Sequence, residues 1–211
     1  MKRFYFALLV LLLVNPVASA SNSDSPDAQF LSSFLNGIDN VIADFVQHTH
    51  DGNHSLLQTQ KGSMSLTRPN KFKWESHAPY EQVLVSNGET LWQYDPDLEQ
   101  VTIQKLDNRL SSTPVLLLSG NSKHVSKEYD VYSEKLQDEF HFVLIPKRTD
   151  ALFDRLRLEF DANKNLMRMV IKDEVGQKTV ISLSNVKKMN KIASDVYEFT
   201  VPEGTDVIES R

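Results

Sequence analysis

The chain has 211 residues, 40% hydrophobic and 24% charged, with a formal net charge of −5. That balance excludes a disordered chain and a multi-pass membrane protein, and it argues against a nucleic-acid partner, which needs a basic face. The absence of cysteine excludes cysteine nucleophiles, cysteine zinc sites, haem attachment, disulfides and an acylated cysteine.

Met1-Lys2-Arg3 is a short positive segment, Phe4 to Val14 is unbroken apolar sequence, and Ala18-Ser19-Ala20 supplies a small-residue cleavage pattern. Together they predict a cleavable signal peptide over residues 1–20. The apolar run of eleven residues is short of the roughly 20 that a membrane-spanning helix needs. The expected product is a single soluble domain, residues 21–211, exported to the periplasm of a bacterium.

Ser25-Pro26-Asp27 reads as a helix start, with Ser at the N-cap, Pro at the first helical position and an acid in the first turn. Phe30, Leu31, Phe34, Leu35 and Ile38 then form a one-sided apolar stripe, and Gly37 is the expected stop. After the helix the period changes to two. Val41, Ala43 and Phe45 alternate, Met64, Leu66 and Arg68 share a parity, and so do Phe72 and Trp74. Val83 to Trp92 predicts a hairpin with Asn87-Gly88 as a two-residue type I′ turn.

Thr113-Pro114-Val115-Leu116-Leu117-Leu118-Ser119-Gly120 interrupts the strands. It has an N-cap Thr, Pro at N1, four apolar residues and a Gly stop, so it predicts a short helix lying on apolar surface. Further alternation follows at Phe140–Leu144, Leu156–Phe160, Met167-Met169-Ile171, Val180-Ser182 and Phe199-Val201. The total is about eleven short strands. Many antiparallel strands with a few one-sided helices predict a mainly β protein, a curved sheet or barrel with helices packed into its mouth.

Catalytic patterns are sparse. His48, His50 and His54 form the sharpest metal-like cluster, because alternate strand positions share a face and imidazole suits zinc. The same residues read more simply as an exposed strand end entering a polar hairpin. No carboxylate ligand can be assigned to them, so no metal or other cofactor is expected. Ser184 and Lys187 match a Ser-x-x-Lys pattern, but that chemistry needs a helix start and Ser184 ends a predicted strand. Lys187, Lys188 and Lys191 read as a solvated loop. A secreted hydrolase would need a converging nucleophile and base, and none can be assembled.

Arg68-Pro69-Asn70-Lys71-Phe72-Lys73-Trp74 is the most specific segment of the chain. Downstream come Leu84-Val85-Ser86-Asn87-Gly88, Thr90-Leu91-Trp92-Gln93-Tyr94-Asp95-Pro96, Thr113-Pro114 and Phe199-Thr200-Val201-Pro202-Glu203-Gly204. In this order and spacing, over nearly all of residues 21–211, the chain resembles the periplasmic outer-membrane lipoprotein carrier family, LolA.

The resemblance implies an unclosed antiparallel barrel of about eleven strands with lid helices over an apolar cavity. It also implies a monomeric carrier, not an enzyme. Such a carrier takes acylated lipoproteins from an inner-membrane ABC transporter of the LolCDE kind and delivers them to an outer-membrane receptor of the LolB kind. Leu31, Leu35, Met64, Leu66, Phe72, Trp74, Leu84, Trp92, Leu116 and Leu117 become candidates for the acyl-chain cavity, although the aromatic ones also suit ordinary core packing.

Arg68 shares the parity of Met64 and Leu66, and an arginine among apolar side chains must find acceptors. The resemblance implies that it latches the lid through the last helical carbonyls, around Leu118 and Ser119. Without it, pairing with a nearby acid at a strand end is the simpler reading. The alternative function is a periplasmic lipid-sensing regulatory domain of the same fold.

Overall fold

The computed structural model describes residues 25–106, 114–122, 125–149 and 151–210. The predicted signal peptide and the N-cap Thr113 lie outside the described residues. Helix α1 (Pro26–Leu35) starts as its sequence requires: the Ser25 side chain accepts from the Ala28 N–H at 3.1 Å, with Pro26 in the first turn. Its inward stripe of Ala28, Leu31, Phe34 and Leu35 is buried. Phe30, predicted within that stripe, is partly exposed at its margin, with its ring edge-on to Phe34 at 5.1 Å.

The strands are β1 (Asn40–His50), β2 (Leu56–Thr67), β3 (Lys71–Ser76), β4 (Gln82–Asn87), β5 (Thr90–Asp95) and β6 (Gln100–Lys105). Helices α2 (Pro114–Ser119) and α3 (Val125–Glu128) follow. Then come β7 (Tyr129–Leu136), β8 (Glu139–Pro146), β9 (Arg155–Phe160), β10 (Leu166–Lys172), β11 (Lys178–Lys188), a 3-10 turn at Ser194–Tyr197 and β12 (Asp206–Ser210).

These twelve strands form one sheet in the order β12-β6-β5-β4-β3-β2-β1-β11-β10-β9-β8-β7. The two end strands do not pair with each other, so the sheet curves without closing. β1 sits between β2 and β11 and joins the halves, with Phe45 opposite Gly62 on one side and Leu183 on the other. Among the described residues, the one parallel pair is β12 with β6.

The predicted strand pattern needs three corrections. Phe199 and Val201 are not in a strand: the Phe199 ring packs on Tyr94 at 5.5 Å, and Pro202 has no N–H to continue a ladder. The strand of this region is β12, a few residues later. β7 has no counterpart in the predicted pattern, because only Tyr129 and Val131 in it are buried and the rest is polar or exposed. In β10 a bulge between Leu166 and Arg168 puts Leu166 and Met169, rather than Met167, into the core.

The hairpin turn also differs from a type I′ turn, which requires positive φ at both central residues. Gly88 has φ 99° but Asn87 is not in that region. Asn87 instead uses its side-chain oxygen to accept from the N–H groups of Glu89 and Thr90, and the last register pair is Ser86 with Leu91. An Asx-type turn replaces the strained one.

Inside the curve, Phe34 is the hub of an aromatic cluster, with the rings of Phe140, Phe142 and Phe160 each 5.0 Å away. Outside it, the chain after β11 crosses the first half of the sheet. Tyr197 is buried there, its hydroxyl 2.8 Å from Thr67 Oγ1. The sheet therefore has an inner face against the helices and a partly covered outer face.

Candidate functional site

The inner face of β1–β5, β10 and β11 lines a cavity of about 260 Å³ under α2, open at one end. Trp74, Val83, Leu84, Val115, Met169, Ile171 and Ile181 form its apolar wall, and Gln47, Gln60, Ser76, Gln82 and Gln93 complete it. Trp74 stacks on Phe45 at 4.1 Å. Gly62 lies beneath this pair, where an added Cβ would collide with the Glu75 carbonyl oxygen and fall 2.6 Å from the Phe45 ring. Only glycine admits the stack there.

Of the predicted cavity residues, Trp74 and Leu84 line this space. Phe72 and Leu116 are buried in the cluster against which those two pack. Leu31, Leu35, Met64, Leu66 and Leu117 belong to the larger core around α1. Trp92 is a correction. Leu91 is buried in the inner cluster, so the pleat turns Trp92 to the outer face. There it is paired in register with Val85 and Ile103.

The helix α2 carries its own reason for being where it is. Val115, Leu116, Leu117, Leu118 and Ser119 are all buried, with Leu118 and Ser119 fully so. A six-residue helix has too few internal hydrogen bonds to stand alone, so its place depends on these side chains filling the inside of the sheet. Its end is tied by the Gly120 N–H to the Leu116 carbonyl at 2.6 Å and by the Asn70 N–H to the Ser119 carbonyl at 2.8 Å. Ser122 links the region to α1: its carbonyl accepts from Ser32 Oγ at 3.0 Å, and its hydroxyl donates to Asn36 Oδ1 at 2.6 Å.

Arg68 enters this junction from the end of β2. Its backbone N–H donates to the Asp39 carbonyl at 2.9 Å. Its guanidinium Nε and Nη2 are buried without a hydrogen-bond partner among the described residues. Burial lowers its pKa to about 10, and only the nearby Asp39 charge opposes this. The anticipated bonds from these two nitrogens to the Leu118 and Ser119 carbonyls are therefore not made. Pro69 has no N–H, so the next amide, that of Asn70, is the one that meets Ser119.

His48 and His50 do share a face of β1, with ring centroids 6.5 Å apart, and His50 Nδ1 is buried and unpaired among the described residues. His54 is exposed in the following turn at φ 67°. Ser184 and Lys187 both lie in β11, so the helical turn that Ser-x-x-Lys chemistry requires is missing.

The group that sequence reading misses is Glu139, His141 and Glu159, whose potential ligand atoms lie within 4.8 Å of one another. It brings together residues from two strands, which spacing along the chain cannot reveal. His141 Nε2 lies 2.8 Å from Glu139 Oε2. Arg168 donates to Glu159 at 2.6 Å, and Arg157 Nε lies 2.8 Å from the same carboxylate. Two guanidinium groups on the buried carboxylate already supply its counter-charge, which makes this an ion-pair network rather than a cation cage.

Residues 36–200 match the family model described as "Outer membrane lipoprotein carrier protein LolA". The chain belongs to that family. A protein of Pseudomonas paraeruginosa named outer-membrane lipoprotein carrier protein is 44% identical over 208 residues, covering 98% of this chain and 99% of its own. A protein of the same name from Azotobacter vinelandii is 42% identical over 205 residues, covering 97% and 98%. Among solved structures, an uncharacterised conserved protein of Thermus thermophilus aligns with a TM-score of 0.53 at 13% identity, covering 87% of this chain and 99% of that one. The last likeness concerns the fold alone. Among the described residues, no helix is long and apolar enough to cross a membrane.

Proposed function

We propose that this chain is a periplasmic carrier that shields the acyl chains of lipoproteins released from the inner membrane and passes them to an outer-membrane receptor. The observation that carries the reading is the apolar cavity beneath a helix whose buried face is entirely apolar up to Ser119, in a chain of this family. Each buried methylene contributes roughly 0.8 kcal/mol, so acyl chains do not cross water unshielded. Ligand cavities usually run from about 300 Å³ upward. The space of about 260 Å³, open at one end, is therefore too small for a lipoprotein's chains.

Loading then requires the lid to move. In the empty form Val115 to Leu118 occupy the interior; in the loaded form acyl chains replace them, so that opening exchanges one apolar contact for another. Leu31 and Leu35 of α1, with Met64, Leu66, Phe72, Leu116 and Leu117, become the wall of the enlarged cavity. The Arg68–Asn70 turn acts as the latch. Asn70 supplies the tie, and Arg68 supplies a charge that the closed form leaves with two donors unmatched among the described residues and that opening returns to water.

In this reading residues 1–20 are a cleaved export signal, the working form is a monomer of residues 21–211, and no step is catalytic. The donor is an ABC transporter of the LolCDE kind and the acceptor a receptor of the LolB kind. Mass spectrometry of the protein purified from a periplasmic extract tests this. Co-purifying triacylated lipoprotein is the expected result; protein that carries none, even when outward transfer is blocked, would remove the reading.

A further inference from the structure

The wall of the cavity is divided along its length. On β1 the inward parity runs Val41, Ala43, Phe45 and then Gln47; on β2, read towards the same end, it runs Leu66, Met64, Gly62 and then Gln60. On β3 it passes from Phe72 and Trp74 to Ser76, on β4 from Leu84 to Gln82, and on β5 from Leu91 to Gln93. Five adjacent strands change from apolar to polar at one end of the cavity. Gln82 and Gln93 are exposed, so this end is the mouth.

A mouth facing water needs polar groups, but it does not need glutamines in particular. Charged residues are plentiful on the same strands: Asp44, Lys61, Lys73 and Glu75 alternate with the inward set and stand on the other face. Asp44, Lys73 and Glu75 line a separate outer groove there, and Lys73 pairs with Glu75 at 2.8 Å. Among the described residues, no lysine, arginine, histidine or carboxylate lines the cavity itself. Gln47 Nε2 donates to Gln60 Oε1 at 3.1 Å across the β1–β2 pair, which leaves each amide with further donor or acceptor capacity.

A neutral side chain that both donates and accepts suits a neutral linkage. Ester carbonyls need donors, and an amide needs a donor and an acceptor. A free carboxylate needs a cation, which this collar does not offer. We propose that Gln47, Gln60, Gln82 and Gln93 form a subsite for the ester and amide groups that join acyl chains to the polar head of the cargo. The carrier would then select acylated linkages over free fatty acids as well as binding hydrocarbon. This rests on the carrier reading above and adds a specificity to it.

The test uses three probes of equal chain length: a peptide with an ester-linked diacylglyceryl cysteine, its dialkyl-ether analogue, and the free fatty acid. Each displaces a hydrophobic fluorophore from the wild-type protein, from a Gln47→Leu/Gln60→Leu variant and from a Gln82→Leu/Gln93→Leu variant. Leucine is close in size to glutamine, and the second pair lies at exposed positions that tolerate substitution. The wild type should prefer the ester to the ether by about two- to tenfold for each hydrogen bond lost, with the fatty acid weakest. In each variant the ratio of ester to ether affinity, which cancels any change in fluorophore binding, should fall towards one. Equal affinity of the wild type for ester and ether, or an unchanged preference in both variants, would overturn the proposal while leaving the carrier reading intact. Failure of the wild type to bind fluorophore or any probe would overturn both.

Discussion

Substituting Arg68 by leucine should make the empty protein more stable. The guanidinium is buried at the lid junction, with Nε and Nη2 unmatched among the described residues, and burial lowers its pKa to about 10. A base whose pKa is lowered by folding opposes folding while it is charged. The cost is therefore present in full below about pH 10 and fades only as pH rises from there towards the unfolded value. Each buried donor without an acceptor costs about 1–3 kcal/mol, and partial exposure of the residue discounts the sum. Removing both should raise stability by about 1–3 kcal/mol, or several degrees in Tm at the roughly 2–4 °C per kcal/mol typical of a chain this long.

Thermal unfolding at neutral pH, followed by circular dichroism on cargo-free protein, measures this directly. The same variant should bind acyl peptide more weakly and release it faster than wild type, because a more stable closed lid disfavours the open form that holds the chains. A fall in Tm on Arg68→Leu would refute the reasoning, since it would mean that the arginine makes net stabilising contacts in the closed form. Arg68→Lys keeps the charge without the planar fork and should stay close to wild type in Tm.

Gly62→Ala should lower stability by about 1–3 kcal/mol, because its Cβ would collide with the Glu75 carbonyl and the Phe45 ring; urea unfolding and the Trp74 emission spectrum report it. Leu118→Ala, at a fully buried lid position, should cost about 2–5 kcal/mol and increase fluorophore binding by loosening the lid, measured in one titration. A chelator should leave Tm unchanged and the protein should purify without stoichiometric zinc; a drop of several degrees would point to a metal at the histidines or at Glu139–His141–Glu159.

Patterns set by neighbouring residues are readable in the sequence, and those set by distant ones are not. Ser25-Pro26 announces α1, and Thr113-Pro114 with four apolar residues announces a helix over apolar surface, because caps and stripes are local. Alternation locates most strands, since one wall of the sheet is dry. It fails where that wall is not the controlling surface. β7 is an edge strand with little to bury, and β12 is held by its parallel partner rather than by its own pattern. Trp92 looks like cavity wall because large aromatics suggest a core. Its parity relative to Leu91 places it outside, a relation visible in the sequence once Leu91 is known to be inward.

Arg68 stands out in the sequence, but its partner cannot be deduced there, because the carbonyl of Ser119 is taken by an amide two residues on. The glutamines of the cavity mouth are hidden for a related reason. Gln47, Gln82 and Gln93 each stand alone on their strands and Gln60 has only Gln58 near it, so only the register of β1 to β5 gathers them into one collar.

The central claim is that the space beneath α2 binds acyl chains. Titration of the fluorophore-loaded protein with an acylated peptide, and in parallel with the same peptide lacking its acyl chains, tests it most directly. The acylated peptide should displace the fluorophore saturably at one site and the bare peptide should not. Equal displacement by both, or by neither, would contradict the account.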